Sequence, residues 1–270
     1  MRLNNCDPLE YGLEVIDLRE DAAFNQRRLR PHDRSIQMEG MRRIARAFVD
    51  APETILQELA TAAVELCGAD SAGISMERDG RTEQQYYHWV ATAGEYSPFL
   101  DATLPQFPSA CTICLERGGP QIFRVHQRFF DLLGIDAPLV TDGILLPWEV
   151  DGSRGTIFAM AHGREEAFDR EDSDTLQLLA NFAAMGVRQL RQQKQLLQQA
   201  RDAATAAMAN ELAHRINNPL QSLTNTLYLA ANGHYGKEAA IVGGQSASDL
   251  ERLSSLVREL LAIPTRKNVA

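Results

Sequence analysis

The residue whose type and setting best suit chemistry is His214, in the string Asn210-Glu211-Leu212-Ala213-His214-Arg215-Ile216-Asn217-Asn218-Pro219-Leu220-Gln221-Ser222-Leu223. With Leu212 at heptad position d, Ile216 falls at a, Pro219 at d, Leu223 at a, Thr226 at d and Ala230 at a. Alternating spacings of four and three place these residues on one seam of a helix. His214 then falls at f, farthest from the seam. Such a helix buries one side and presents an imidazole to solvent. A neutral imidazole is a competent nucleophile toward a phosphoryl group at physiological pH. Pro219 costs about 3 kcal/mol inside a helix and frees the carbonyl of Arg215, so a bend is expected beside His214. Position alone does not make a histidine functional, and most exposed helical histidines do nothing.

A second candidate is the pair Cys111 and Cys114 in Ser109-Ala110-Cys111-Thr112-Ile113-Cys114-Leu115. One C-x-x-C is too little for zinc, which takes four ligands, so no metal is assigned. His88, His126 and His162 are available, but nothing in the sequence brings them together. At helical spacing both thiols share a face and are expected in the wall of a pocket, with a redox or metal role as the lesser alternative. Tyr86, Tyr87, Trp89 and Trp148 sit in strand-like segments and are expected in core or cavity walls.

The elements that must hold these residues follow from periodicity. Residues 1–36 are polar and read as an irregular extension that includes a basic cluster, Arg27, Arg28, Arg30 and Arg34, expected to be solvated. Helical spacing covers residues 38–49 and 53–67, with Gly68 as the stop. Ser71–Met76 and Tyr86–Thr92 read as strands, with a turn at Gly80. Ile144–Val150 and Gly155–Ala161 form a hairpin about Asp151-Gly152. Between the strand pairs, 94–140 is looser, with helical pieces at 110–117 and 126–134. Phe168-Asp169 opens a helix beginning near Asp172 or Ser173, and Arg188 to Asn210, without Gly or Pro, continues as helix. Two helices close the chain, separated by residues 232–236, and Gly243-Gly244 limits the second to Ser248 onward.

The 270 residues are 44% hydrophobic and 23% charged, the balance of a globular protein, with a net charge of −9. That charge argues against nucleic acid as a partner. No apolar stretch approaches the roughly 20 residues that span a bilayer, and the N-terminus lacks the apolar run of a signal peptide. No membrane association and a cytoplasmic location are therefore expected, with the four cysteines as free thiols.

Three strings resemble a GAF domain: Cys67-Gly68-Ala69-Asp70-Ser71-Ala72-Gly73, Leu146-Pro147-Trp148 with its hairpin, and Phe168-Asp169-Arg170-Glu171-Asp172 before the closing helix. The resemblance covers about residues 50–190. It implies an antiparallel sheet sandwich with a ligand-sized cavity, whose expected lining includes Cys111, Cys114, Trp89 and Trp148. The family binds cyclic nucleotides, bilins, haem or other small molecules. No bilin-type Cys-His pair is present and no cofactor is evident, so the ligand is an unidentified small molecule.

His-x-Ile-Asn-Asn-Pro-Leu resembles the phosphoacceptor box of histidine kinases. The following Leu250, Leu253, Val257 and Leu260, opened by the capping form Ser248-Asp249-Leu250-Glu251, fit the family's second helix. The resemblance covers about residues 200–263. It implies His214 as phosphoacceptor, a hairpin that pairs with its copy in a four-helix dimer, and a response regulator as partner. Asn218 matches a position that orients water for regulator dephosphorylation. Arg215 stands where most of the family carries an acid that helps remove the imidazole proton. After Ile263 only Pro264–Ala270 remain, so the ATP-binding domain is expected to be missing and phosphate to come from a kinase ATPase domain in trans or from a regulator in reverse.

The expected order is an irregular extension at 1–36, a GAF-like sensor at 37–190, a signalling helix at 191–209, a dimerising phosphoacceptor hairpin at 210–265 and a tail at 266–270. The fold class is α+β, with the hairpins forming a dimeric four-helix bundle. Two other functions remain open. One is a dimeric small-molecule-binding adaptor without phosphoryl chemistry. The other is a thiol reductase using Cys67, Cys111 and Cys114.

Overall fold

The computed structural model describes residues 8–29, 33–78, 80–231 and 239–262. The chain divides into two compact units, Met1–Gln193 and Lys194–Ala270.

In the first unit, the strands among the described residues form one antiparallel sheet. They are β1 (Leu13–Asp17), β2 (Ser71–Glu77), β3 (Tyr87–Gly94), β4 (Thr103–Leu104), β5 (Gln121–Val125), β6 (Val140–Val150) and β7 (Ser153–Ala161), in the order β1-β5-β6-β7-β2-β3-β4. The β6–β7 connection is the expected two-residue turn. Val150 pairs with Ser153, and Asp151 (φ 48°) and Gly152 (φ 74°) both take positive φ, as a turn matching the strand twist demands.

Alternation along the strands makes two cores. Ile144, Leu146, Trp148 and Val150 of β6, with Ile157, Ala159 and Ala161 of β7, face one side. Against them pack α2 (Arg34–Asp50), α3 (Ile55–Cys67) and the start of α6 (Arg170–Ala231), through Ile44, Leu59, Ala63, Leu176, Ala180 and Ala183. Gly68 ends α3 in the left-handed region (φ 59°), where glycine carries no Cβ penalty. Asp169 opens α6: its carboxylate accepts from the amides of Glu171 (2.8 Å) and Asp172 (3.3 Å), while the Asp172 carboxylate accepts from the Asp169 amide (3.0 Å). The helix therefore starts two to three residues earlier than its apolar spacing indicates. The other sheet face is covered by α4 (Ala110–Arg117) and α5 (Gln127–Leu133).

The N-terminal segment is not an irregular extension. β1 pairs with β5 from Leu13↔Val125 to Asp17↔Gln121 and completes the sheet edge. The short helix α1 (Ala22–Gln26) buries Phe24 fully, worth about 1.5–3 kcal/mol. Arg27 is not solvated either. Its side chain is 7% exposed and pairs at 3.2 Å with Asp142, which is 1% exposed. Arg27 also donates to the Phe168 carbonyl (3.1 Å), and the Ala167 amide donates to Asp142 (2.9 Å). The polar run hid a strand whose own alternation, Leu13-Glu14-Val15, is only three residues long.

In the second unit the helix that began at Arg170 runs on through Pro219 to Ala231, and α7 spans Ala239–Ala262. α7 continues through Gly243 and Gly244 rather than beginning at Ser248; propensity cost at two positions, about 1 kcal/mol each, does not stop a 24-residue helix. The loop expected at 232–236 lies outside the described residues.

Candidate functional site

The first unit holds a cavity of about 80 Å³ on the α4–α5 side of the sheet. Its floor is Leu13 of β1, Phe123 and Val125 of β5, Leu145 of β6, and Phe158 and Met160 of β7. Ala110 and Cys111 of α4, and Phe129, Phe130 and Leu133 of α5, close it from above, with Phe99 and Leu104 at the side. Trp89 reaches it because the β2–β3 register shifts: Ile74 pairs with Ala91, but Ser75 pairs with Trp89. The extra residue, Val90, is a bulge that puts Tyr87 and Trp89 on the α4–α5 side of the sheet, where Trp89 lines the cavity, while Ala91 and Ala93 face α3 and the opposite core. Trp89 stacks on Tyr96 (5.8 Å between ring centroids, 24° between planes) and packs against Phe158 (5.1 Å).

Of the residues expected at the cavity, Trp89 and Cys111 line it. Cys114 shares the buried face of α4, donating to the carbonyls of Gly119 (3.5 Å) and Leu145 (3.7 Å), but does not reach the cavity. Trp148 lies on the opposite face of the sheet, among the α3 and α6 side chains. It has the parity of Ile144 and Leu146, whereas the cavity takes Leu145. Its indole covers Gly155, where a Cβ would come within 2.6 Å of Cζ2 and 1.9 Å of the Ser75 carbonyl oxygen. Sequence reasoning missed Phe123, Phe129, Phe130, Phe158 and Met160. The available signal was the alternation Phe158/Met160 and Phe123/Val125, and the adjacent pair Phe129-Phe130 in an amphipathic turn.

The Cys111 thiol accepts from Thr156 Oγ1 (3.3 Å) and Ser75 Oγ (3.5 Å). Burial pushes Cys111 and Cys114 above the usual thiol range. Cys67 sits in the other core, donating to the Asp172 carbonyl (3.7 Å), and burial with the nearby Asp172 and Asp169 raises it further. The sheet thus separates Cys67 from Cys111 and Cys114. The histidines are also apart. His88 bonds Asp101 (2.9 Å), His162 bonds Ser71 Oγ (2.6 Å) and the Leu139 carbonyl (2.8 Å), and His126 precedes α5. Among the described residues no group of three or more His, Cys, Asp or Glu side chains is arranged to hold a metal ion.

In the second unit, Leu212, Ile216, Ser222, Leu223 and Thr226 are half-buried and Pro219 is buried, while His214, Arg215, Asn217 and Asn218 are exposed. The protected residues recur at spacings of three and four, the seam from which His214 points away. On α7 the protected row is Ser246, Asp249, Leu253 and Leu256, the last 3% exposed. Of the row expected to pair with a second copy, Leu253 is half-buried within the single chain, Leu250 (58%) and Val257 (48%) are exposed, and the Leu260 side chain lies outside the described residues. Apolar residues at 250, 253, 256 and 257 supply two adjacent stripes, and the hairpin uses the one ending in Leu256.

The sheet thus carries α2, α3 and the start of α6 on one face, and the cavity under α4 and α5 on the other. Residues 51–187 match the GAF domain family, and the chain belongs to that family. Solved structures with a similar fold include three of low identity. The GAF domain of an Acinetobacter phosphoenolpyruvate-protein phosphotransferase is 14% identical, with TM-score 0.47, covering 59% of this chain and 96% of that one. A free methionine-R-sulfoxide reductase from Neisseria meningitidis in complex with its substrate is 19% identical, with TM-score 0.46, covering 61% and 96%. Residues 122 to 287 of a methyl-accepting chemotaxis protein are 18% identical, with TM-score 0.44, covering 57% of this chain and 98% of that fragment. Comparison with curated proteins returns no match. GAF domains are signalling sensor modules. Among the described residues no helix is long and apolar enough to cross a membrane.

Proposed function

We propose that this protein is a two-component signalling sensor in which His214 accepts a phosphoryl group and exchanges it with a response regulator in the cytoplasm. The observation that carries the reading is the exposed His214 within His-Arg-Ile-Asn-Asn-Pro-Leu, on the side of α6 opposite the protected seam Leu212, Ile216, Pro219 and Leu223. In the transfer, an imidazole nitrogen attacks the phosphorus of the regulator's aspartyl phosphate. The N–P bond forms, the P–O bond to the aspartate breaks, and the carboxylate leaves; the reverse step returns the phosphoryl group. Asn218, one turn on and also exposed, would orient the water that hydrolyses the regulator's phosphate. The hairpins of two copies would pair as a four-helix bundle.

The test is labelling by a phosphorylated cognate regulator, or by a kinase ATPase domain supplied in trans. The wild type should acquire an acid-labile, base-stable phosphate and His214→Ala none. His214→Ala should change stability by no more than about 0.5 kcal/mol, as exposed positions do. Arg215→Glu should raise labelling if proton removal limits it. A wild-type chain that stays unlabelled with all cognate donors would sink the reading.

Arg215 itself favours a second reading, a dimeric adaptor that binds a small molecule and docks a partner without phosphoryl chemistry. The thiol-reductase alternative loses support from the buried, raised thiols and from the separation of Cys67 from the C-x-x-C pair. A reductase needs an accessible thiolate.

A further inference from the structure

To become a neutral phosphoimidazole, His214 must lose its ring proton. One ring nitrogen gives its lone pair to phosphorus. The other, which carries the proton, becomes positively charged as the N–P bond forms. A carboxylate that accepts this N–H fixes the ring and takes the proton as the charge develops. From residue 207 to residue 221 the one Asp or Glu is Glu211, three residues before the histidine.

Both residues lie in the unbroken helix α6. Residues three apart on a helix are neighbours, with Cβ atoms about 5–6 Å apart. Helical side chains lean toward the N-terminus, over the turn before their own Cα. His214 therefore leans toward Glu211 and away from Asn218. Glu211, His214, Arg215 and Asn218 are all exposed, at the i, i+3, i+4 and i+7 spacing of one helix face. Among the described residues no hydrogen bond or ion pair engages the side chain of Glu211 or of His214, so each can turn to the other. Pairs of this kind are often loose before the reacting group arrives. Arg215 stands at i+4 from Glu211, the spacing of a helix ion pair, and a carboxylate has two oxygens to offer.

We infer that Glu211 is the base that fixes the His214 ring and takes its proton. The inference rests on the reading of His214 as a phosphoacceptor. In the step, the N–P bond forms and the P–O bond to the regulator's aspartate breaks with its electron pair. The proton on the second ring nitrogen passes to Glu211 and from there to water.

The experiment uses the full chain and phosphoramidate, which needs no regulator: an imidazole nitrogen attacks its phosphorus and ammonia leaves. Phosphate gain at His214 is followed by peptide mass spectrometry, with the exposed His126 of the first unit as the internal reference. Glu211→Gln should slow His214 at least tenfold, a part of the roughly 10²–10⁴-fold that a well-placed base supplies, and leave His126 and the helix content unchanged. Adding Asn210→Glu, which puts the acid at i−4 with the same net charge, should restore most of the rate. A Glu211→Gln chain labelled at the wild-type rate, or a loss that Asn210→Glu does not restore, would overturn the inference. Either result leaves the phosphoacceptor reading standing where the regulator labels His214. A wild type that no regulator labels fails that reading instead, whatever phosphoramidate does.

Discussion

Cys67, Cys111 and Cys114 are buried, and their thiols are raised because a thiolate there would lose its water. A cysteine reacts as the thiolate, so these three should be inert in the folded chain at neutral pH. Ellman's reagent should label none of them natively and all three in guanidinium; Cys6 is outside the described residues and is changed to Ser for the measurement. Rapid native labelling of even one would contradict the burial described here. Asp17 behaves oppositely. Its hydrogen bonds from Arg19, at Nη2 (2.6 Å) and Nε (2.9 Å), hold its carboxyl well below the usual range. A lowered folded pKa gives stability that is present above the unfolded value, about 3.9, and lost as pH falls below it. Asp17→Asn should therefore flatten the fall in stability between about pH 4 and pH 2. Parallel urea midpoints for the two chains across that range would show that the pair contributes nothing. Residue chemistry was unevenly legible. The helical spacing of Cys111 and Cys114 gave their shared buried face. The side taken by Trp148 follows from its alternation with Ile144 and Leu146; what the sequence did not show was which parity of that strand faces the cavity.

At the scale of elements, the strongest local signals held: Gly68 as a helix stop, Asp151-Gly152 as a hairpin turn, and residues 110–117 as helix. Each is fixed by neighbours in sequence. β1 and β5 escaped because short edge-side strands are stabilised by their pairing rather than by their composition. The consequence is energetic. Arg27 ties the N-terminal segment to the sheet through Asp142, whose carboxyl burial pushes up against the pull of Arg27 and the Ala167 amide. Arg124 stands farther off, at 4.0 Å. Removing one member of a buried pair leaves the other uncompensated, at about 3–5 kcal/mol. Arg27→Met should cost that much in urea unfolding, and adding Asp142→Asn should recover part of it. A loss under about 1 kcal/mol, the ordinary value of an exposed pair, would mean that the N-terminal segment is the loosely attached extension its polarity suggested.

For the whole molecule, the protected rows of α6 and α7 leave a second apolar set uncovered in the Lys194–Ala270 unit. Leu220 and Leu227 on α6 are 45% and 69% exposed, and Leu250 and Val257 on α7 are 58% and 48% exposed. Each pair is seven residues apart, the repeat that keeps a stripe on one side of a helix over two turns. Extended apolar stripes of this kind mark interfaces, and a second copy presents the same repeat. The stripe takes its α7 half, Leu250 and Val257, from the seam expected from sequence, but its α6 half is Leu220 and Leu227, since Leu212, Ile216 and Leu223 are already half-covered within one chain. That difference makes the prediction specific. The wild type should be a dimer by light scattering at tens of micromolar (on the order of the concentration where an interface of ordinary size is occupied). Leu227→Asp with Leu250→Asp should give a monomer with unchanged helix content, because neither side chain supports the hairpin itself. Leu256→Asp should instead unfold the hairpin, since Leu256 is 3% exposed. A wild-type monomer would remove the dimer from the proposed mechanism. A dimer that survives the double substitution would locate the interface elsewhere in the chain.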